Sequence, residues 1–443
     1  MKYWRLAMAL TIAAFAFGPR EAEAVPSFSE QTAQPCTACH IGGFGPELTP
    51  FGRAFKMGGY TIRASEDVLP ISAMAVASYV HTSADQTGPP APHYASNDNV
   101  ALDEASLFLA GGIGTHFGGF VQGTFDGIGR AFSWDNMDLR AVTTARIGMS
   151  SAVLGLSLNN NPSVQDPWNT LPAWGFPFTG SDLTPSPAAA PLISDSLGGN
   201  VLGISAYAWW DSSLYAGVGL YRSLGPRFLR AAGVDPADTS LIDGVAPYAR
   251  FAYEHDFGEQ NLQLGAFGLF ADLYPGRDKS ARTTDSYSDL GLDASYQFMG
   301  TGENIYSMNA VYTHESQRLA ASDFFGDATN AHNTLEDVRI RGTYYWKNMV
   351  GGTVGVFRTW GSPDALLYAD SRTLKPDSAG YLLQIDYTPF GGGDGPFGSR
   401  FNLRLGLQYT IFTEFDGSGR DYDGSGRNAS DNNTLRLFTW LAF

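Results

Sequence analysis

The chain has 443 residues and is acidic, with 44 Asp and Glu against 28 Lys and Arg and a formal net charge of −16 at pH 7, a balance that counts against nucleic acid as a partner. Two cysteines in the whole chain exclude a disulfide-stapled scaffold. Fifty-two glycines and 13% aromatic residues at only 16% charge suit aromatic-rich strands and tight turns better than a helical bundle.

Residues 1–24 read as an export signal. Lys2 and Arg5 precede the apolar run Leu6 to Gly18, and Ala22-Glu23-Ala24 fits a small-x-small cleavage site, so the mature chain is expected to begin at Val25. No later stretch supplies the roughly 20 uninterrupted apolar residues of a transmembrane helix.

Next comes Cys36-Thr37-Ala38-Cys39-His40, which holds both cysteines. In a Cys-x-x-Cys-His run the two thiols add to the vinyl groups of a porphyrin and the adjacent imidazole becomes the proximal iron ligand. A plain disulfide would leave His40 without a role, and a zinc site would want ligands that no second cysteine pair provides. The motif therefore points to one covalently attached haem c, bound by Cys36 and Cys39 with His40 on the iron. The segment 25–71 around it is too short to bury a core of its own, so cofactor and neighbouring structure must organise it.

From about residue 72 onward the chain breaks into segments of roughly 9 to 15 residues with a period of two, separated by Gly, Asp, Asn, Ser and Pro. The expected strands are 74–82, 104–113, 117–126, 135–148, 151–160, 200–210, 213–222, 244–256, 260–272, 285–299, 304–314, 335–346, 349–360, 379–390, 400–413 and 434–443. Alternation is clean: Phe401, Leu403, Leu405 and Leu407 fall on one face, Asn402, Arg404 and Gln408 on the other. Long connections follow the odd strands, among them 161–199 with Pro167-Trp168, and short ones follow the even strands. That is the rhythm of an outer-membrane barrel with short periplasmic turns and both chain ends in the periplasm. A β-sandwich would have no reason to turn Arg339, Arg341 and Arg404 inward. Terminal Phe443, closing an alternating strand, resembles the end of bacterial outer-membrane barrels. The fold expected is all-β: a transmembrane antiparallel barrel of about 16 strands over 72–443 in the bacterial outer membrane, with an open lumen and the haem segment 25–71 plugging that lumen or its periplasmic mouth.

A longer run carries a family resemblance: Pro26-Ser27-Phe28, Gln31-Thr32, the Cys36 to His40 motif, then Pro46-x-Leu48-Thr49-Pro50-Phe51-Gly52-Arg53-x-Phe55-Lys56 and Gly59-Tyr60-Thr61. These residues resemble the fused cytochrome–porins of the outer membrane, whose best-known members are Fe(II) oxidases of iron-oxidising bacteria. The resemblance implies one-electron transfer from extracellular Fe(II) to a periplasmic c-type cytochrome, an Fe(II):cytochrome c oxidoreductase activity. The other classes to weigh are a diffusion or uptake porin with a haem-bearing gating or sensing plug, and an electron conduit for a non-iron donor or acceptor. Within the plug, Phe44, Phe51, Phe55 and Tyr60 can shield a porphyrin, while Arg53 and Lys56 can neutralise its propionates or equally bind plug to wall. Met57 or His81, with His93 and His116 further on, are the candidates for a sixth iron ligand. Asp421-Tyr422-Asp423-Gly424-Ser425-Gly426 looks like a calcium loop but lacks the closing Glu, and reads as an outer loop.

Overall fold

The computed structural model describes residues 25–64, 69–170, 176–194, 197–393 and 395–443; the expected signal segment 1–24 lies outside them. Sixteen long strands build the wall. They are β1 Ile71–Thr82, β2 Asn99–Ile113, β3 Phe117–Asp126, β4 Ala131–Ile147, β5 Ser150–Asn159, β6 Val201–Trp210, β7 Leu214–Ser223, β8 Ala246–Asp256, β9 Gln260–Tyr274, β10 Asp285–Phe298, β11 Asn304–Leu319, β12 His332–Trp346, β13 Val350–Gly361, β14 Ser378–Tyr387, β15 Asn402–Glu414 and β16 Thr434–Ala442. Each pairs antiparallel with its neighbours in sequence, and β1 pairs with both β2 and β16, so the sheet closes on itself. Short strands at Leu241–Ile242 and Pro396–Ser399 and helices at Pro226–Ala231 and Ala320–Phe325 lie in the connections.

The wall inverts the polarity of a soluble protein. On β10, Leu290 and Leu292 are 52% and 61% exposed, while Asp289 and Asp293 beside them are 0% and 5% exposed. The same alternation puts Leu405 and Leu407 outside and Arg404 and Gln408 inside on β15. Trp210, Tyr253, Tyr296, Tyr306, Tyr344, Trp346 and Tyr387 are exposed near the short turns, as a girdle at one edge of the apolar band. Only hydrocarbon makes such an exterior favourable, and only a closed sheet satisfies its backbone there. The protein is an outer-membrane β-barrel. Among the described residues no helix is long and apolar enough to cross a membrane.

The long–short rhythm of connections holds, with two exceptions: 127–130 is short after an odd strand, and 388–401 is long after an even one. Strand ends extend beyond the sequence reading where both faces turn polar. The β11–β12 ladder, for instance, runs on to pair Arg318 with His332, because backbone pairing continues past the membrane after hydrophobic alternation has stopped.

The open lumen is corrected. The connection after β5 folds into the bore, where Asn160, Ser163 and Asp166 are fully buried. The Ile193 amide donates to Asp289 Oδ2 at 2.7 Å, the Leu192 amide to Glu315 Oε2 at 2.6 Å, and Arg436 Nη1 to the Thr179 carbonyl at 3.1 Å. Inward polar groups that water would have solvated are paired with this connection and with the plug instead.

Candidate functional site

Among the described residues the plug has three short α-helices, α1 Pro26–Thr32, α2 Cys36–Cys39 and α3 Pro50–Met57, with a 3-10 turn at Ile41–Gly43 between the last two. Pro26 and Pro50 open α1 and α3, where a missing N–H costs nothing. The Thr49 side chain caps α3 by accepting from the Gly52 amide at 3.1 Å. A β-carbon at Gly52 would lie 2.3 Å from the Cys39 carbonyl oxygen. Glycine there lets α3 pack directly on the motif helix. Between them the chain returns on itself, with Ile41 N to Glu47 O at 3.0 Å and Thr49 N to Cys39 O at 2.9 Å, which fixes His40 at the edge of a small bridge to Leu48.

The plug sits in the end of the bore that carries the short turns. Gly42 N donates to Asn348 Oδ1 in the β12–β13 turn at 2.8 Å, Asn402 Nδ2 to the Gly43 carbonyl at 2.6 Å, and Gly112 N at the end of β2 to Gln31 Oε1 at 2.6 Å. On other sides Tyr60 donates to Asp138 Oδ2 at 2.8 Å and Tyr207 to the Met57 carbonyl at 2.6 Å.

Between plug and wall lies a cavity of about 360 Å³, lined by Cys36, Cys39 and His40 from the plug and by Met74, Glu104, Phe108, Phe120, Gln122 and Trp440 from the barrel. That volume falls in the range of small-molecule and cofactor sites, roughly 300 to 1,000 Å³. Phe28, Phe44 and Phe55 add aromatic surface, and Phe28 stacks on Tyr60 with centroids 5.1 Å apart. Cys36 is buried and Cys39 half-buried. His40 is likewise half-buried, its open side facing the cavity rather than bulk water. Burial pushes its pKa down to about 4, with the nearby Arg404 charge adding to the effect, so the imidazole is neutral, as an iron ligand must be. A hydrogen bond to the Gly45 backbone opposes that shift without outweighing burial. Two thiols and a neutral imidazole opening on one cavity with aromatic side chains in its lining are the donor set a covalent haem uses.

The other sequence-derived candidates separate. Lys56 lines the cavity and, besides His40, is the one basic residue among its described lining, but its Nζ donates to the Asp166 carbonyl at 2.7 Å and to Asn169 Oδ1 at 2.9 Å. Burial lowers its pKa to about 7. Arg53 lies away from the cavity, bound through Nη2 to Glu254 Oε1 at 2.6 Å and Asn261 Oδ1 at 2.7 Å and through Nη1 to Gln297 Oε1 at 2.9 Å. It anchors the plug to β8–β10, and none of its donors is left for a propionate. Met57 is fully buried against Trp168, Tyr207, Tyr215 and Ala252, on the side of α3 turned from the cavity. His81 is on the outward face of β1, bonded through Nδ1 to Asp98 Oδ1 at 2.8 Å with its side chain 44% exposed. His93 is in the following loop with φ +74°, and His116 in a short turn bonds to the Val142 carbonyl at 3.0 Å. None of the three histidines reaches the cavity. Asp421 and Asp423 turn to their own loop, accepting from Gly426 N at 2.6 Å and Ser425 N at 2.9 Å, and among the described residues no three His, Cys, Asp or Glu are grouped to hold a metal ion.

The sequence reading missed the barrel's share of the site, above all Met74. The signal was present: Met74 has the parity of Ser72, Val76, Ser78 and Val80, the inward face of β1.

No family model matches the chain, and no curated protein matches it. Among solved structures it is similar to in-vitro folded OmpT, an outer membrane protein of Vibrio cholerae, at 8% identity over 86% of this chain and 99% of that one, with a TM-score of 0.45. It is also similar to an anion-selective porin from Comamonas acidovorans, at 13% identity over 84% and 98% with a TM-score of 0.44. A third likeness is to Salmonella typhi OmpF in complex with daunomycin, at 12% identity over 85% and 98% with a TM-score of 0.46.

Proposed function

We propose that this outer-membrane barrel carries one haem c on its plug and transfers single electrons, most concretely from extracellular Fe(II) to a periplasmic c-type cytochrome. The observation that carries the reading is the cavity between plug and wall onto which Cys36, Cys39 and His40 all open. When bound, the haem supplies one-electron redox chemistry. The chain's part is to hold it: Cys36 and Cys39 provide the thioether attachments, His40 a neutral ligand, and Phe108, Phe120 and Trp440 a surface that excludes water. An Fe(II) donor accounts for placement in this membrane, since ferric product formed outside does not precipitate within the cell.

The test has two stages. Covalent haem staining after denaturing electrophoresis should be positive for the wild type and abolished by Cys36→Ala or Cys39→Ala; full staining of both variants overturns the haem. Purified protein with oxidised haem should then be reduced within seconds of anaerobic Fe(II) addition at near-neutral pH, followed by stopped-flow absorbance. A haem that Fe(II) leaves oxidised and dithionite reduces removes iron as donor and leaves a conduit for another donor or acceptor.

A second reading is a diffusion or uptake porin whose haem-bearing plug gates or senses. It is favoured by the polar character of the plug–wall contact around Arg53, which unlike an apolar interface can exchange its partners for water. It predicts ion conductance through the intact protein in planar bilayers and no electron delivery to a periplasmic cytochrome.

A further inference from the structure

Among the described residues lining the cavity there is one histidine, His40, and one thioether, Met74. Met74 comes from β1, at the start of the barrel, whereas both thiols and His40 come from the plug. It packs against two buried clusters, one containing Phe44 and Trp440 and the other Phe108 and Phe120. Of the other donors that line the cavity, Glu104 is a carboxylate and several of the rest are engaged elsewhere. Lys56 Nζ is held by Asp166 and Asn169, and Tyr60 donates to Asp138. Asp135 accepts from Thr124 at 2.7 Å and Asn136 at 2.8 Å, and a carboxylate is in any case a harder donor than haem iron prefers.

We propose that Met74 is the second axial ligand of the haem iron, so that the plug supplies one axial ligand and the barrel wall the other. This deepens the haem reading above and rests on it. Ligation across the plug–wall interface has two consequences. A Met/His pair raises the reduction potential relative to two histidines, which suits a haem that must accept electrons from a weak donor. It also ties the plug to the barrel through the cofactor, so the haem-loaded plug is held more firmly than the apo-plug.

The experiment compares wild type with Met74→Leu, Met74→His and, as a control, Met57→Leu, in the haem-loaded full chain. The wild-type ferric form should show the far-red charge-transfer absorption of a thioether ligand. Met74→Leu should lose that band, bind carbon monoxide in the ferrous form at least tenfold faster, and shift to a lower potential. Met74→His should become low-spin with a lower potential, and Met57→Leu should match wild type. A readout independent of any variant's folding is methyl-labelled methionine in the reduced wild type, where one methyl resonance should be displaced far upfield by the porphyrin ring current. Absence of both the far-red band and the displaced methyl in a wild type that stains for covalent haem overturns Met74 alone, as does their persistence in Met74→Leu or their loss in Met57→Leu. A wild type without covalent haem overturns the haem reading and this one with it.

Discussion

Arg53 is the single contact whose loss should most weaken the hold of the barrel on its plug. Its guanidinium and the Glu254 carboxylate are 2% and 6% exposed and 2.6 Å apart. Breaking a buried pair by removing one partner costs about 3–5 kcal/mol, because the other charge is left uncompensated. Glu254 keeps two neutral donors, Asn261 Nδ2 at 2.8 Å and Trp168 Nε1 at 3.2 Å, so the lower end of that range, about 3 kcal/mol, applies to Arg53→Met. At about 1.4 kcal/mol per factor of ten, the undocked plug should become roughly a hundredfold more populated. Protease cleavage between α1 and α3 in reconstituted vesicles should speed up accordingly, and brief conductance openings in planar bilayers should become more frequent, while heat-modifiable migration shows the barrel itself intact. The double variant Arg53→Met with Glu254→Gln removes both charges and should recover most of the loss. Wild-type protease protection and conductance in Arg53→Met would refute the assignment of this pair as the anchor.

Two further outcomes follow from the same geometry. Docked, Lys56 loses its proton near pH 7, whereas in solvent it holds it to about 10.5. The undocked plug therefore binds more protons between these values, and docking should tighten as pH rises from about 7 to 10, by at most about 1.4 kcal/mol per unit, and weaken as pH falls back. Thermal release of the plug in the haem-free Cys36→Ala variant measures this slope; Lys56→Met should flatten it, and a flat profile with Lys56 intact would contradict the burial argument. For orientation, Met149→Cys in the β4–β5 turn, where the side chain is 98% exposed, should label only after the outer membrane is opened, and Ser425→Cys should label on whole cells; the reverse pattern would invert the barrel.

The barrel was legible because its signal is local. A strand with Asn402, Arg404 and Gln408 on one face and Leu403, Leu405 and Leu407 on the other specifies an inverted wall without any long-range information. The Cys36 to His40 motif is local in the same way, five consecutive residues that the fold brings to one cavity. The assignment of faces on α3 was within reach too. Gly52, Phe55 and Lys56, spaced i, i+3, i+4, form the face on the cavity, and Arg53 with Met57, spaced i, i+4, forms the face on the wall. Which of the two faces meets the cavity is decided by Glu254 and Gln297, some two hundred residues further along the chain, and no local pattern announces them. The inward course of the connection after β5 was equally hidden, since a loop that pairs Leu192 with Glu315 and Ile193 with Asp289 has the same composition as one that extends into solvent.

Plug and inward connection are not independent fillings of the bore. Lys56 of the plug donates to Asp166 and Asn169 of the connection, Asn169 Nδ2 donates back to the Pro46 carbonyl at 2.5 Å, and Trp168 shares Glu254 with Arg53. Displacing the connection thus leaves Lys56 and Glu254 short of partners, and displacing the plug does the same to Asn169. A solute path through the barrel has to break both sets of contacts together, which makes a plug that gates alone energetically demanding. The same coupling bears on electron entry. With the cavity in the short-turn half of the bore and the connection packed against the plug, a donor outside the cell does not reach the haem motif by diffusing down an open pore. On the electron-transfer reading proposed above, the electron would have to cross packed protein unless the connection moves, so residues 160–170, rather than the plug alone, would set the rate at which an external donor is served.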